Sequence, residues 1–144
     1  MAILPLTPNK NPQLRQYQLT SGQTPVDGEG VVLVSGKVSV VGADPTTMLG
    51  FATAVEPASL TFDPYNGEVL VHVAYPGSTF WIKGTSNPVV TNVGVSYGIT
   101  AVTGVAQLDI TETTTLVFVV EDIDTTWNMF EVSVLPAVAQ LQGG

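Results

Sequence analysis

The middle of the chain contains a pattern that is typical of a catalytic serine. Residues 94–98 read GVSYG, which matches the G-x-S-x-G sequence of a nucleophile elbow. That chemistry requires a strand before the serine, a helix after it, and a histidine later in the chain. Here the residues after Ser96 are strand-like, and the single histidine, His72, precedes the serine. The pattern therefore does not predict a hydrolase, and we expect His72 to be a partly buried structural residue.

A second group of candidates is formed by five acidic residues in the last third of the chain: Asp109, Glu112, Glu121, Asp122 and Asp124. Carboxylates on neighbouring loops can bind calcium, but the spacing of an EF-hand loop is absent. The chain has no cysteine and one histidine, which excludes the common cysteine and multi-histidine metal sites. These residues predict a solvated acidic turn, and we expect no metal and no cofactor.

Aromatic residues provide a third possibility. Tyr75, Phe80, Trp81 and Trp127 could form a platform on which a sugar stacks. Phe80 and Trp81 are adjacent on a predicted strand, so their side chains point to opposite faces. Core packing combined with a subunit interface explains the same residues, and the sequence leaves both interpretations open.

The overall composition favours a subunit of a larger assembly. The chain has 144 residues, enough for one domain with a core, of which 44% are hydrophobic and only 11% are charged. Such a low charge content is explained if part of the surface is buried in an oligomer. The net charge of −8 argues against a nucleic-acid partner, because phosphates require basic contacts.

We expect no membrane-spanning segment. Residues 84–108 carry no charge, but they include Pro88, four glycines and many hydroxyl or amide side chains, unlike a spanning helix. The first ten residues have no basic region, and prolines interrupt their apolar run, so we expect no secretory signal.

Short strands separated by turn residues follow one another along the chain. Val31–Val41 predicts a hairpin around Ser35-Gly36, and residues 68–83 predict a second hairpin around a type II turn at Tyr75–Ser78. Further strands are predicted over residues 93–102, 106–110, 113–120 and 127–135, with an acidic turn over 121–126. This pattern predicts an all-β fold: a single antiparallel β-barrel or β-sandwich with an extended N-terminal arm.

The arm differs from the rest of the chain in charge. Residues 1–20 contain Lys10, Arg15 and no acid, whereas residues 21–144 contain two basic and all twelve acidic residues. The arm is thus +2 and the remainder −10, which makes the arm a candidate docking element. We predict an arm over residues 1–20, a barrel or sandwich over 21–136, and a C-terminal tail over 137–144.

The order of these elements resembles the small capsid decoration (cement) proteins of tailed bacteriophages. The resemblance covers about residues 5–84 and is carried by PLTPNKNPQLRQYQLTSGQTP, VVLVSGKVSV, ADPTTMLGFATA and NGEVLVHVAYPGSTFWIKG. It implies a non-enzymatic structural virion protein, made in the host cytoplasm, that binds the outer surface of the capsid and stabilises the head. It also implies the major capsid protein as partner and a homotrimer as the oligomeric state, without a small-molecule substrate.

We hypothesise that the arm provides the capsid-binding residues. This candidate site consists of Ile3, Leu4, Leu6, Lys10, Arg15 and Tyr17. An extended segment of this kind can add a strand to the edge of a partner's sheet. The main alternative is a carbohydrate- or receptor-binding β domain of a virion fibre or adhesin, which would use Tyr75, Trp81 and Trp127.

Overall fold

The computed structural model describes residues 6–11, 13–20, 22–42, 45–53, 68–102 and 105–142. Within these ranges the chain forms eleven β-strands and one short 3-10 turn, Val90–Asn92. The strands are β1 Leu6–Pro8, β2 Leu14–Gln18, β3 Gly30–Val34, β4 Lys37–Val40, β5 Gly50–Thr53, β6 Glu68–Val73, β7 Thr79–Ile82, β8 Ser96–Val102, β9 Val105–Asp109, β10 Phe118–Asp124 and β11 Met129–Val134. The sequence also predicts a short strand at Ala58–Phe62, and these residues lie outside the described ranges.

The strands form two antiparallel sheets, which confirms the predicted all-β fold. One sheet has the order β1-β7-β11-β10-β8-β9 and the other has the order β2-β6-β5-β3-β4. Leu19 follows β2 directly and forms a parallel bridge with Val38 of β4. This contact shows that the five-stranded sheet is curled. β2 and β4 are the two ends of the strand order, so the sheet approaches a half-barrel.

The first predicted hairpin is confirmed. β3 and β4 pair in antiparallel register from Val31↔Val40 to Val34↔Lys37. Ser35 and Gly36 have φ values of 52° and 81°, the left-handed values that a type I′ turn requires at both central positions.

The second predicted hairpin is wrong, although its turn is formed. Ser78 N donates to Tyr75 O at 2.9 Å, and Gly77 has a φ of 94°. β6 nevertheless pairs with β5 and β2, whereas β7 pairs with β11 and β1, so the turn carries the chain from one sheet to the other. The valine face of β6 lies in the core of the curled sheet, and β7 buries its apolar face in the larger core. These separate burial requirements determine the pairing.

The predicted boundary between the strand 113–120 and the acidic turn 121–126 is also wrong. β10 begins at Phe118 and continues through the acidic residues to Asp124. A β-bulge between Val120 and Asp122 shifts the register against β11. The charged residues are accommodated because Glu121 and Asp122 are exposed while their backbone continues the sheet.

Three phenylalanines join the two sheets. Phe51 comes from the curled sheet, and its ring centroid lies 5.1 Å from that of Phe80 and 5.7 Å from that of Phe118. All three are essentially inaccessible to solvent. A smaller core lies within the curled sheet and consists of Val31, Val38, Leu49, Ala52, Val69, Val71, Val73 and Tyr75.

The described residues after Pro136 lie on the body. Ala139 forms a parallel bridge with Met48. The Gln140 side chain accepts a hydrogen bond from Leu33 N at 2.7 Å and donates one to Leu33 O at 3.0 Å. Gln140 thereby provides the polar contacts that another strand would provide at this edge of β3.

Candidate protein-binding edge

Residues 6–18, which we call the edge segment, provide an outer strand for each of the two sheets. β1 pairs with β7 at one end of the six-stranded sheet. β2 pairs with β6 at one end of the five-stranded sheet. The structure therefore places this part of the predicted arm in an extended conformation along the body.

The link between β1 and β2, residues 9–13, is hydrogen-bonded to a buried carboxyl group. Glu131 of β11 is 4% exposed, and its Oε2 atom accepts hydrogen bonds from Asn9 Nδ2 at 2.6 Å and Thr79 Oγ1 at 2.8 Å. The backbone reinforces this contact, since Asn9 N donates to Thr79 O at 2.8 Å and Thr79 N donates to Lys10 O at 3.1 Å. The link is thus attached to β7 and β11 by both side-chain and backbone bonds.

The register of β2 determines which backbone groups remain available. Val73 N donates to Gln13 O at 2.8 Å, so these opposing residues form a hydrogen-bonded pair. Because such pairs alternate along an antiparallel ladder, Arg15 and Tyr17 also direct their backbone groups towards β6. The N–H and C=O groups of Leu14 and Gln16 then point to the outer side of β2. Within the described part of the chain, these outward groups have no partner.

The Arg15 side chain of β2 contacts two tyrosines. Its Nη1 atom donates to Tyr75 Oη at 3.2 Å, and its guanidinium carbon lies 5.9 Å from the centroid of the Tyr17 ring. The hydrogen bond to Tyr75, together with the nearby Tyr17, raises the pKa of Arg15 above its ordinary value. Burial raises the pKa of Tyr17, and the Arg15 charge partly opposes that change. Arg15 is therefore an exposed cation in contact with two tyrosines, and within the described ranges only Tyr75 accepts a hydrogen bond from its guanidinium group.

The six predicted site residues are distributed unevenly. Ile3 and Leu4 lie outside the described residues, and Leu6 lies in β1 opposite Ile82. The structure brings Arg15 and Tyr17 together, whereas Lys10 is exposed in the link.

Sequence reasoning missed the roles of Tyr75 and Glu131 in this region. Tyr75 is 60 residues from Arg15 along the chain, and Glu131 is 122 residues from Asn9. No local pattern connects residues so far apart, because their contacts depend on which strands pair.

A shallow polar cavity lies between the link and the turn that follows β6. Its volume is about 260 Å³, and it is lined by Asn11, Gln13, Tyr75, Pro76 and Ser78. Ser78 Oγ donates to Asn11 O at 2.8 Å. This volume is below the usual range for sites that enclose a small molecule, which begins at roughly 300 Å³.

The serine pattern has a structural explanation. Ser96 begins β8, so a strand follows it, and His72 lies in the other sheet. Gly94 has a φ of 85°, and a side chain at Gly98 would collide with Glu112 and the backbone of Thr115. Gly94 is therefore required by its left-handed backbone and Gly98 by the close approach of Glu112 and Thr115, and the arrangement does not form a nucleophile elbow.

The acidic residues mostly stabilise their own turns. Asp109 accepts hydrogen bonds from Thr111, Glu112 accepts from Thr114 N and Thr115 N, and Asp124 accepts from Thr126 N and Trp127 N. Glu121 accepts a bond from Ser133. Over the described ranges, no three histidine or acidic residues lie close enough to form a metal site.

The three aromatic residues of the alternative sugar site differ in exposure. Tyr75 is only 6% exposed and its hydroxyl accepts a hydrogen bond from Arg15, whereas Trp127 is 42% exposed. Trp81 is partly buried in β7. These three residues therefore do not offer three exposed aromatic rings on which a sugar could stack.

No family model matches the chain, and no curated protein is similar to it at a significant level. Among the described residues, no helix has the length and apolar character needed to cross a membrane.

Proposed function

We propose that the chain is a non-enzymatic structural virion protein of a tailed bacteriophage. It binds the outer surface of the capsid, where the major capsid protein is its partner, and it clamps neighbouring capsid subunits. The observation that carries this proposal is the edge segment, in which no other described strand pairs with the outer side of β2 and which holds half of the chain's four basic residues.

β2 is the better docking edge of the two outer strands. β1 has three residues and ends in Pro8, features that limit pairing with another strand. β2 has five residues, no proline, and outward backbone groups at Leu14 and Gln16. The Leu14 side chain is 53% exposed, so it offers apolar contact beside the free backbone. An extended segment of the capsid protein can pair with this strand by β-augmentation.

Charge determines the orientation of binding. The body is acidic, and Lys10 and Arg15 carry the positive charge on the edge segment. An acidic capsid surface attracts this side of the molecule and repels the others. Several copies bound to adjacent capsid subunits would hold the shell together, because linked weak contacts give tight overall binding.

The test is a pair of substitutions at one position of β2. Gln16→Pro removes an outward N–H group without removing a bond to β6, whereas Gln16→Ala keeps the N–H group. Binding is measured by co-sedimentation with expanded heads of the phage that encodes the chain. We expect the proline variant to lose most binding and the alanine variant to retain it.

Equal binding by both variants would exclude β-augmentation at β2. The folded state of each variant is checked by its urea unfolding midpoint. Failure of the unmodified chain to bind heads, together with glycan binding that Trp127→Ala abolishes, would instead support the carbohydrate-binding alternative.

A further inference from the structure

Four valines are exposed in a single loop on the six-stranded sheet. Val89, Val90, Val93 and Val95 are 54%, 76%, 41% and 39% exposed, and we call residues 89–95 the valine loop. Single exposed apolar residues are common on protein surfaces, but contiguous groups of them mark contact sites. Val90 and Val93 are three residues apart around a 3-10 turn, so their side chains lie on the same side of it.

The valine loop is held in one conformation by a buried amide. Asn92 is 7% exposed; its Oδ1 atom accepts a bond from Val89 N at 2.8 Å, and its Nδ2 atom donates to Tyr97 Oη at 3.0 Å. Its backbone N–H donates to Val89 O at 2.9 Å. These bonds restrain the backbone that carries the valines, which reduces the conformational entropy lost when a partner binds.

The end of the valine loop is continuous with the sheet. Gly94 N donates to Val120 O at 2.8 Å, and Val120 N donates to Val95 O at 3.0 Å. Backbone hydrogen bonds therefore attach the end of the valine loop to β10, a strand in the centre of the six-stranded sheet.

The charge distribution favours a second copy of the chain as the partner. Residues 84–108 contain no charged residue, in a chain whose net charge is −8. Where copies meet around a rotation axis, residues near the axis face their own counterparts, so any charge there would be opposed by the same charge. The valine loop itself is apolar and uncharged, whereas the exposed Glu121 and Asp122, which follow its pairing partner Val120 in β10, are acidic like the rest of the body. Valines that pack at the axis avoid the repulsion that these carboxylates would meet there. A basic partner would be attracted to the acidic surfaces instead.

We propose that the valine loop is the surface through which copies of this chain associate with one another. The valines of adjacent copies pack together around a rotation axis, and the acidic surfaces remain apart. This contact is separate from the β2 edge, so a copy can self-associate and bind another protein at the same time.

The experiment compares the full chain with Val90→Asp by light scattering after gel filtration, over a series of protein concentrations. We expect the unmodified chain to have the mass of two or more copies of the 15.1 kDa chain. The introduced carboxylates would repel each other near the axis, so we expect this variant to be a folded monomer. Val34→Asp is the matched control, because Val34 is 53% exposed at the end of β3 and should leave the mass unchanged.

A second variant tests the conformation of the valine loop. Asn92→Ala keeps all four valines but removes the side-chain bonds to Val89 and Tyr97, so we expect weaker association at equal protein concentration. Retention of the full oligomer by both Val90→Asp and Asn92→Ala would overturn the inference.

Two further outcomes would assign the loop to a different partner and overturn the proposal. One is a monomer at every concentration that sediments with neutral phosphatidylcholine vesicles and loses this binding on Val90→Asp. The other is an oligomer that Val90→Asp leaves intact while binding to phage heads is lost. Gln16→Pro is tested by binding to phage heads, whereas Val90→Asp is tested by the mass of the protein in solution. Failure of one proposal therefore does not imply failure of the other.

Discussion

The β2 edge and the valine loop are two exposed surfaces that differ in the groups they offer. The β2 edge offers backbone N–H and C=O groups, and Arg15 carries a positive charge beside them. The valine loop offers side chains without charge, while its backbone is bonded to Asn92 and Val120. The first surface suits an acidic extended partner, and the second suits an apolar surface like itself.

Under the two proposals, this difference would let one small domain keep two binding functions apart. Backbone pairing and charge respond to proline substitution and to salt, because they depend on hydrogen bonds and Coulomb attraction. Apolar packing responds to the introduction of a charge, because a buried charge must lose its hydration. Each surface can therefore be impaired without altering the other, provided that the two sheets remain joined.

The largest expected effect comes from breaking the joint between the sheets. Phe51→Ala removes the ring that packs on Phe80 and Phe118, and we expect the free energy of unfolding to fall by about 3–5 kcal/mol. Both surfaces should then fail together, since one belongs to each sheet. Urea unfolding measures the loss. Val34→Ala, an exposed control, should change stability by less than about 0.5 kcal/mol.

A moderate effect is expected from salt, and it should separate the two surfaces. Raising the salt to about 1 M reduces the Debye length to about 3 Å, so binding to heads through Arg15 should weaken. Self-association through the uncharged valine loop should be unchanged or stronger. Arg15→Glu should weaken head binding at low salt and reduce its salt dependence.

Lys37→Glu provides the control for this charge effect, because Lys37 is an exposed cation on β4. Equal losses for the two variants would mean that net charge, and not the β2 edge, governs binding.

The smallest expected effect is a pH dependence of stability that arises from His72 in the curled sheet. His72 lies opposite Leu14 and Phe51, and burial lowers its pKa below the ordinary value, while Asp27 partly opposes this change. The unfolded chain therefore binds the proton more tightly than the folded chain. The contribution of His72 to the free energy of unfolding is fully present above about pH 6.5. It is lost as the pH falls from there towards the pKa of His72 in the folded chain.

The measurement for this prediction is the urea midpoint at pH values above and below about 6.5. His72→Gln should lose this part of the pH dependence while keeping the acid sensitivity that arises from carboxylates. An unchanged pH profile in the variant would show that His72 does not contribute.

The sequence predicted most strands because their signals are local. The alternation in β6 and the left-handed turn at Ser35-Gly36 depend on neighbouring residues alone. The boundaries of β10 were missed because its acidic residues resemble a turn, and only pairing with β11 keeps them extended. Arg15 and Tyr17 could be nominated from charge and composition, but Tyr75 could not be connected to them.

The sequence by itself determined an all-β chain with an acidic body, a basic N-terminal segment and an uncharged stretch over residues 84–108. These properties follow from residue type and spacing, which act over a few neighbouring positions. Only the tertiary structure decided that the turn after β6 joins two sheets and that residues 6–18 contribute a strand to the edge of each. It also decided that Asn92 is buried and bonded to Val89 and Tyr97 while the valines around it are exposed. The physical reason is that strand pairing minimises the exposed apolar surface of the whole chain, and no local segment contains that information.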